Sequence, residues 1–453
     1  MNKFKNRASE LKNLEKLYAD KAPKLLVMYG RRRVGKTSIM QEFLSRHKGI
    51  YLLARQETEI ENLKRFSEQI GSFFKDEILG LSPLQNWDSL FLYLAKKLKE
   101  GRFIIAIDEF PYLAGANSAI PSILQDYWDN HFSKIGAFII LCGSSIAMME
   151  KTLGYKSPLY GRRTEQILIE PLKFSNAAEF MPKTLGFEKK AEYYAILGGT
   201  PAYLMEFDFS ESLEKNIIGN YLQKTKFLYQ DVLFVLREEL NEPRNYFAIL
   251  RVIAKGKNSL NDIVMETGLE RSLIGKYLSI LIDMHLVERL LPITEKKSSR
   301  KGIYKIKDNF FRFWFRFVHE YENYIEQNRQ ELLVKEKIMT NLNSYVGGVF
   351  EDIAFQYLSE SQEFGDYLFG RWWAKDTEID IIGKSPKDVL LIEVKWKSVN
   401  ENEALKIIEM IKEKSKKFPV KNMPLKFGII AKKIENKEKL RKLGYLAFDS
   451  TEF

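Results

Sequence analysis

The clearest chemical pattern in the sequence is a glycine-bounded loop that ends in a lysine and a hydroxyl. Residues 30–37 read GRRRVGKT, with a short apolar run before them and a helical pattern after them. In such a loop the backbone N–H groups face phosphate oxygens, the lysine reaches the β- and γ-phosphates, and the threonine hydroxyl ligates Mg²⁺. Strand, loop and helix are the context that this P-loop motif requires, so the pattern predicts an ATP site. The residues assigned to the nucleotide are Gly30, Arg31, Arg32, Arg33, Val34, Gly35, Lys36, Thr37 and Ser38.

A second pattern supplies carboxylates. The apolar run 103–107 leads directly into Asp108 and Glu109, the order of a Walker B motif. Asp108 is predicted to hold Mg²⁺ together with Thr37, and Glu109 to act as the general base that polarises the attacking water. The apolar run 137–142 is followed by Ser144, for which two interpretations stand: a sensor of the γ-phosphate, or the N-cap of the next helix.

Two adjacent arginines, Arg162 and Arg163, lie on a glycine turn in the segment PLYGRRT. They could supply an arginine finger to the ATP of this chain or of a neighbouring copy. The alternative interpretation is a pair of surface salt bridges.

These motifs together resemble the archaeal-type ATPases of the AAA+ and STAND-like P-loop class. The resemblance rests on Asn6-Arg7 with Glu10-Leu11, and on the segments GRRRVGKTS, FIIAIDEF, LCGSS, PLYGRRT and GGTPAY, and it covers about residues 1–240. It implies a parallel sheet in which further strands separate the two Walker strands, with strands expected at residues 50–54 and 103–107. It also implies a helical lid after about residue 172, in which the turn at residues 198–201 faces the nucleotide.

The middle of the chain has the order of a winged helix. Helical patterns at residues 245–254, 260–265 and 269–284 precede two β-like runs at residues 287–293 and 303–306. Residues 296–307 hold six basic residues and no acidic one, which suits a phosphate backbone. The alternative is a winged helix that packs only against the ATPase domain or another protein. The residues predicted to contact DNA are Arg271, Ser272, Lys276, Lys296, Lys297, Arg300 and Lys301.

The C-terminal part carries three carboxylates and a lysine in a nuclease-like order. Glu351 lies in an amphipathic helix pattern, Asp380 ends one strand pattern, and Glu393 and Lys395 alternate on another strand, so they share a face. Asp380 and Glu393 are predicted to bind Mg²⁺ or Mn²⁺ for phosphodiester hydrolysis, with Lys395 beside the attacking water. The order resembles the PD-(D/E)xK nuclease superfamily. A structural hairpin with salt bridges, or an inactive nuclease fold kept for binding, remains the alternative.

Composition sets broader limits. A chain of 453 residues with net charge +11 predicts several domains and favours a nucleic-acid partner, although a lysine-rich genome would give the same excess. A single cysteine, Cys142, excludes a disulfide framework and a thiolate zinc site. The apolar runs are too short to span a membrane and the first residues lack a signal-peptide pattern, so a cytoplasmic location is expected.

The complete prediction is an α/β protein with five parts. They are a P-loop ATPase core at 1–172, a helical lid at 173–240, a winged helix at 241–308, a helical connector at 309–340 and an α/β PD-(D/E)xK-like domain at 341–453. The expected activity is ATP hydrolysis coupled to DNA binding and metal-dependent DNA cleavage. The competing hypothesis is a STAND-like switch, in which the ATP state gates binding to a protein partner and the nuclease fold is inactive. A homo-oligomer is a further possible partner.

Overall fold

A computed structural model of the protein describes residues 4–240, 242–419 and 423–453. The chain divides into two compact units, Met1–Glu170 and Pro171–Phe453. None of the described helices is both long and apolar enough to cross a bilayer.

The first unit is built on a five-stranded parallel sheet, which confirms the predicted α/β fold. Its strands are β1 (Lys24–Tyr29), β2 (Gly49–Leu53), β3 (Ile104–Asp108), β4 (Phe138–Gly143) and β5 (Glu165–Leu168). Its helices are α1 (Ala8–Ala19), α2 (Lys36–Arg46), α3 (Glu59–Phe74), α4 (Glu77–Leu81), α5 (Trp87–Glu100), α6 (Phe110–Ala116), α7 (Ile120–Asn130) and α8 (Ile146–Leu153). The strand order is β2-β3-β4-β1-β5, so β4 alone separates the Walker strands β1 and β3, and β2 lies at the edge.

The central strands are apolar along their whole length because both faces of the sheet are covered. In β1, Leu25 and Val27 belong to one hydrophobic cluster, whereas Leu26 and Met28 belong to another. Alternate residues of a strand point to opposite faces, so the sheet lies between two apolar layers. All five strands run in the same direction, which brings the ends of β1, β3 and β4 together at one edge.

The second unit begins with helices and ends with a mixed sheet. Its helices are α9 (Phe174–Ala177), α10 (Phe187–Leu197), α11 (Pro201–Leu204), α12 (Leu213–Asn216), α13 (Phe227–Glu239), α14 (Pro243–Ala254), α15 (Leu260–Thr267), α16 (Arg271–Asp283), α17 (Asn309–Phe313), α18 (Glu322–Glu326), α19 (Gln330–Leu333), α20 (Thr340–Glu360), α21 (Glu401–Ser415) and α22 (Lys437–Lys442). Short π-helical segments follow α12, α17 and α19. One hydrophobic cluster extends from Leu172 to Phe448, so the segments of this unit share a core.

Helices α14, α15 and α16 are followed by a small antiparallel hairpin of β6 (Val287–Leu290) and β7 (Ile303–Ile306). A capping box of Ser259 and Asp262 starts α15, and Gly268, with φ 67°, ends it in the left-handed conformation that glycine tolerates. The loop between β6 and β7 is attached to the C-terminal sheet, because Pro292 forms a β-bridge with Arg371.

The C-terminal sheet has the order β12-β11-β10-β9-β8. Its strands are β8 (Leu368–Ala374), β9 (Thr377–Lys384), β10 (Val389–Val399), β11 (Leu425–Ile434) and β12 (Leu446–Phe448). Strands β8, β9 and β10 are antiparallel neighbours, whereas β10, β11 and β12 run parallel. The pairing of Ile392 with Ile381 places the polar end of β10 beside Asp380.

Candidate functional site

The loop after β1 closes tightly around the ammonium group of Lys36. Lys36 Nζ donates hydrogen bonds to the carbonyl oxygens of Gly30 and Arg31, both at 2.8 Å. Gly30 has φ 152°, and a Cβ atom there would lie 2.2 Å from the carbonyl oxygen of Ile169, so only glycine fits. Gly35 has φ 99° and precedes the first turn of α2. The backbone conformation is therefore that of a phosphate-binding loop.

Burial lowers the pKa of the Lys36 ammonium, and the charges of Glu109 and Asp108 partly oppose this shift. The loop is also held from outside by Arg7, whose Nη2 donates to the carbonyl oxygens of Val34 at 2.7 Å and Glu170 at 2.8 Å. In the sequence, Arg7 was noted only as part of the family resemblance. In the structure it connects the P-loop to the segment after β5 through hydrogen bonds to both.

Asp108 lies at the end of β3, and one of its carboxylate oxygens accepts hydrogen bonds from two hydroxyl groups. Thr37 Oγ1 donates to Asp108 Oδ2 at 2.8 Å, and the Tyr51 hydroxyl donates to the same oxygen at 2.7 Å. Burial, followed by the contact with Asp108, raises the pKa of Tyr51, so the phenol keeps its proton. The donor set of hydroxyl and carboxylate oxygens suits Mg²⁺. Sequence reasoning missed Tyr51, because its position beside Asp108 depends on the pairing of β2 with β3.

Glu109 is held by Ser144, which follows β4. The Ser144 hydroxyl donates to Glu109 Oε1, and its backbone N–H donates to Oε2 at 3.2 Å. The N-cap role belongs to the next residue, because Ser145 Oγ accepts from the N–H of Met148 at 3.2 Å. In this arrangement Ser144 orients the carboxylate expected to act as base.

Arg162 and Arg163 contact groups outside the phosphate loop. Arg162 Nη2 lies 2.9 Å from Asp129 Oδ2 in a half-exposed ion pair. The guanidinium of Arg163 lies 4.5 Å from the ring centroid of Tyr160. Arg162 thus forms the kind of surface salt bridge that the alternative interpretation predicted. A role as an arginine finger toward the ATP of another copy stays a prediction.

The basic residues predicted to contact DNA lie on the surface of the second unit. The side chains of Arg271, Ser272 and Lys276 are exposed on α16, and Arg271 Nη1 donates to Asn261 Oδ1 at 2.9 Å. In the hairpin loop, the exposed basic residues are Lys296, Lys297, Arg300 and Lys301.

The backbone of this loop is fixed while its side chains project outward. Arg289 Nη1 donates to the carbonyl oxygen of Lys297 at 3.0 Å, and Trp373 Nε1 donates to that of Lys301 at 3.2 Å. The ammonium of Lys301 pairs with Glu295 at 2.5 Å, so its charge is partly neutralised.

Two of the three predicted C-terminal carboxylates, Asp380 and Glu393, flank Lys395. Lys395 Nζ lies 2.9 Å from Glu393 Oε1 and 3.8 Å from Asp380 Oδ2, and Asp380 Oδ2 accepts from the N–H of Val394 at 2.7 Å. Burial, then the negative charges of Glu393 and Glu351, raises the pKa of Asp380 to about 7. This shift is the signature of carboxylates that repel one another in a poorly solvated site.

Two further cations, which sequence reasoning missed, neutralise the cluster. Lys414 Nζ lies 2.9 and 3.0 Å from the two oxygens of Glu393, and Arg371 Nη1 lies 2.7 Å from Glu351 Oε2. Lys414 follows the buried Ile411 by three positions on α21, and the packing of this helix on the sheet brings its ammonium to Glu393. Within the described parts of the chain, no three acidic, histidine or cysteine groups are arranged to hold a metal ion.

Residues 4–207 match a family model described as an ATPase domain predominantly from Archaea. Residues 314–407 match a second family, described as archaeal and bacterial proteins of unknown function. An uncharacterized protein of Methanocaldococcus jannaschii is 35% identical over 445 residues, which cover 96% of this chain and 97% of that protein. An uncharacterized ATP-binding protein of the same organism is 44% identical over 45 residues, covering 10% of this chain and 76% of that protein.

Among solved structures, the Walker-type ATPase of Pyrococcus abyssi has a similar fold. The TM-score is 0.54 at 24% sequence identity, and the match covers 69% of this chain and 96% of that chain.

Proposed function

Because the chain belongs to a family of archaeal P-loop ATPases and binds and hydrolyses ATP, we propose that its ATP turnover acts on DNA bound by the second unit. The observation that carries the proposal is the hairpin loop, which presents exposed basic side chains on a fixed backbone. A basic surface of this kind suits a phosphate backbone, because each contact releases condensed counterions.

In the ATPase site, the roles follow from the contacts. Lys36 neutralises the β- and γ-phosphates, and Thr37 and Asp108 would hold Mg²⁺, which supplies charge neutralisation on the phosphate oxygens. Glu109 accepts a proton from the attacking water, and Ser144 keeps the Glu109 carboxylate turned toward the site until nucleotide binds. Tyr51 fixes the rotamer of Asp108.

On the DNA side, α16 and the hairpin have the order and pairing of a winged helix. Arg271, Ser272 and Lys276 project from α16, the third helix of that group, toward a groove, while the loop side chains lie along phosphates. The π-helical and aromatic segment after α17 is buried and packs on Phe247 of α14 and Tyr345 of α20, so it belongs to the core rather than stacking on bases.

The test is a salt titration of DNA binding with the hairpin loop neutralised. The variant replaces four basic residues with alanine: Lys296, Lys297, Arg300 and Lys301. We expect weaker binding and a salt slope flatter by about 0.9 per lost phosphate contact. A control variant removes the same number of positive charges elsewhere on the exposed surface of the second unit: Lys183, Lys215, Lys226 and Lys335.

Equal slopes for the loop variant and the unmodified protein would contradict DNA contact by the loop. That result would favour the second hypothesis, a STAND-like switch that binds a protein partner. An equal loss in the control variant would show that total charge, rather than this loop, determines affinity.

A second candidate function is metal-dependent phosphodiester hydrolysis at the C-terminal carboxylates. The favouring observation is that Asp380 and Glu393 both flank Lys395 Nζ, and that burial together with the charges of Glu393 and Glu351 raises the pKa of Asp380. A divalent cation would relieve this repulsion between the carboxylates. Their oxygen donors suit Mg²⁺ or Mn²⁺, and Lys395 would stabilise the attacking water. Lys414 competes with the cation for Glu393, so metal binding requires its ammonium to move.

A further inference from the structure

A cavity of about 360 Å³, open to solvent on one side, lies in the second unit, and the functions described above assign no ligand to it. Residues of α14, the β6–β7 hairpin, α20 and the β8–β9 edge form its walls. Its volume lies in the range of pockets that hold small ligands. The lining residues that bear on its ligand are Tyr304, Arg312, Arg316, Gly348, Glu351 and Trp373.

One side of the cavity is cationic. Arg312 Nε is buried and, within the described part of the chain, has no hydrogen-bond partner. Lys305 and Arg371 make the closer ion pairs with Asp352, and Arg312 Nη1 lies 3.7 Å from Asp352 Oδ2, so Arg312 keeps more of its charge for a ligand. A buried donor without an acceptor is costly, and a shift of the guanidinium toward the cavity would let an anionic oxygen, such as a phosphate oxygen, satisfy it.

Aromatic side chains face the same space. Tyr304 lies on β7, Trp373 on β8 and Tyr345 on α20, and all three line the cavity. Planar bases stack on such rings with little dependence on sequence. A phosphate-binding arginine beside aromatic walls therefore fits a nucleotide better than an inorganic anion or an apolar molecule.

The cavity also borders the carboxylate cluster, because Glu351 belongs to both. Gly348 lies three residues earlier on α20, on the same face of the helix. A Cβ atom at Gly348 would meet no atom within 4 Å, so the glycine leaves the cavity open rather than relieving a clash. Glycine is a poor helix former, so Gly348 lowers the stability of α20 and leaves the space beside the helix free.

We propose that this cavity binds one unpaired nucleotide, with the phosphate on Arg312 and Arg316 and the base stacked between Tyr304 and Trp373. The assignment of that nucleotide to a DNA strand rests on the proposed function. An unpaired nucleotide held here brings the adjoining phosphodiester beside Glu351, so the cavity selects single-stranded or frayed DNA over intact duplex.

The test fills the cavity from α20. Gly348→Leu places a side chain in the open space. Gly348→Ala is the matched control, because alanine, like leucine, is a better helix former than glycine but leaves most of the cavity volume free. Fluorescence anisotropy measures binding of a labelled single strand and of the duplex of the same sequence. We expect Gly348→Leu to weaken single-strand binding about tenfold relative to Gly348→Ala, the loss expected for one stacked base, with duplex binding unchanged.

Equal single-strand affinity in the leucine and alanine variants would overturn the proposal, while the hairpin-loop experiment would stand. If the protein binds neither DNA form, the proposed function fails. Calorimetry with free dAMP then tests the cavity proposal independently of DNA binding. Binding of dAMP that Gly348→Leu abolishes supports a free nucleotide as the ligand, and no binding overturns the cavity proposal. Should Gly348→Leu fail to fold, Arg316→Gln replaces it with the same expectations.

Discussion

Replacing Asp380 with asparagine should change how the stability of the C-terminal sheet depends on pH. Asparagine keeps an acceptor for the N–H of Val394 and removes the charge that Glu393 and Glu351 repel. The pKa of Asp380 is raised from 3.8 to about 7, so the folded chain binds this proton more tightly than the unfolded chain. The stability that results is fully present below pH 3.8 and is lost as the pH rises through about 7.

The size of the effect follows from the shift. One pKa unit corresponds to about 1.4 kcal/mol, so a shift from 3.8 to about 7 approaches about 4 kcal/mol as an upper limit. The asparagine variant has no carboxyl group at this position, so it does not lose this stability as the pH rises. Its stability relative to the unmodified protein should therefore rise between pH 4 and pH 8 by up to about 4 kcal/mol.

Hydrogen exchange read by mass spectrometry suits this measurement, because a chain with two compact units need not unfold in one step. Peptides covering β9 and β10 report the local free energy of opening after correction for intrinsic exchange rates. The matched control is Asp376→Asn, an exposed carboxylate in the preceding turn.

A free-energy difference between Asp380→Asn and the unmodified protein that stays constant from pH 4 to pH 8 would refute the reasoning. Adding Mg²⁺ at pH 8 should slow exchange in the unmodified protein and leave the variant unaffected, because the cation relieves the repulsion only where the carboxylate remains. Equal slowing of exchange in both proteins would show that Mg²⁺ binds at a site that does not include Asp380.

Other predictions concern the ATP site and the lysine that neutralises Glu393. Lys36→Ala should abolish tight binding of ATP, measured by equilibrium titration with a fluorescent analogue; affinity equal to the unmodified protein would make the site assignment wrong. Glu109→Gln should retain ATP and stop its hydrolysis, measured as phosphate release, and unimpaired release would exclude Glu109 as the base. Lys414→Ala should lower the Mg²⁺ concentration needed to cleave labelled DNA about tenfold, as expected for one charge-assisted contact. No change in the metal requirement would indicate that Lys414 does not compete for Glu393.

The fold of the first unit could be predicted because its signals are local. The P-loop and Asp108-Glu109 each follow a continuous apolar run, and such runs become buried parallel strands. The position of β4 between the Walker strands could not be derived this way, since strand order depends on long-range packing. The same limit applies to Tyr51, whose hydroxyl reaches Asp108 only because β2 pairs with β3.

In the second unit, alternation along β10 correctly placed Glu393 beside Lys395. The partners that neutralise the cluster lie elsewhere in the chain, Arg371 on β8 and Lys414 on α21. Their charges resemble those of any surface residue, and only tertiary packing brings them to the carboxylates. The attachment of the hairpin loop to Arg371 also could not be predicted from the sequence, because a single isolated β-bridge produces no sequence pattern.

The most direct test of the central claim is the steady-state rate of ATP hydrolysis during a titration with DNA. The measurement uses the full chain with Mg²⁺ at low ionic strength, and Lys36→Ala provides the background. We predict Mg²⁺-dependent phosphate release above that background, with a rate that changes as DNA is added and returns to its starting value as salt weakens the phosphate contacts. A rate that is the same at every DNA concentration would contradict the coupling of ATP turnover to DNA.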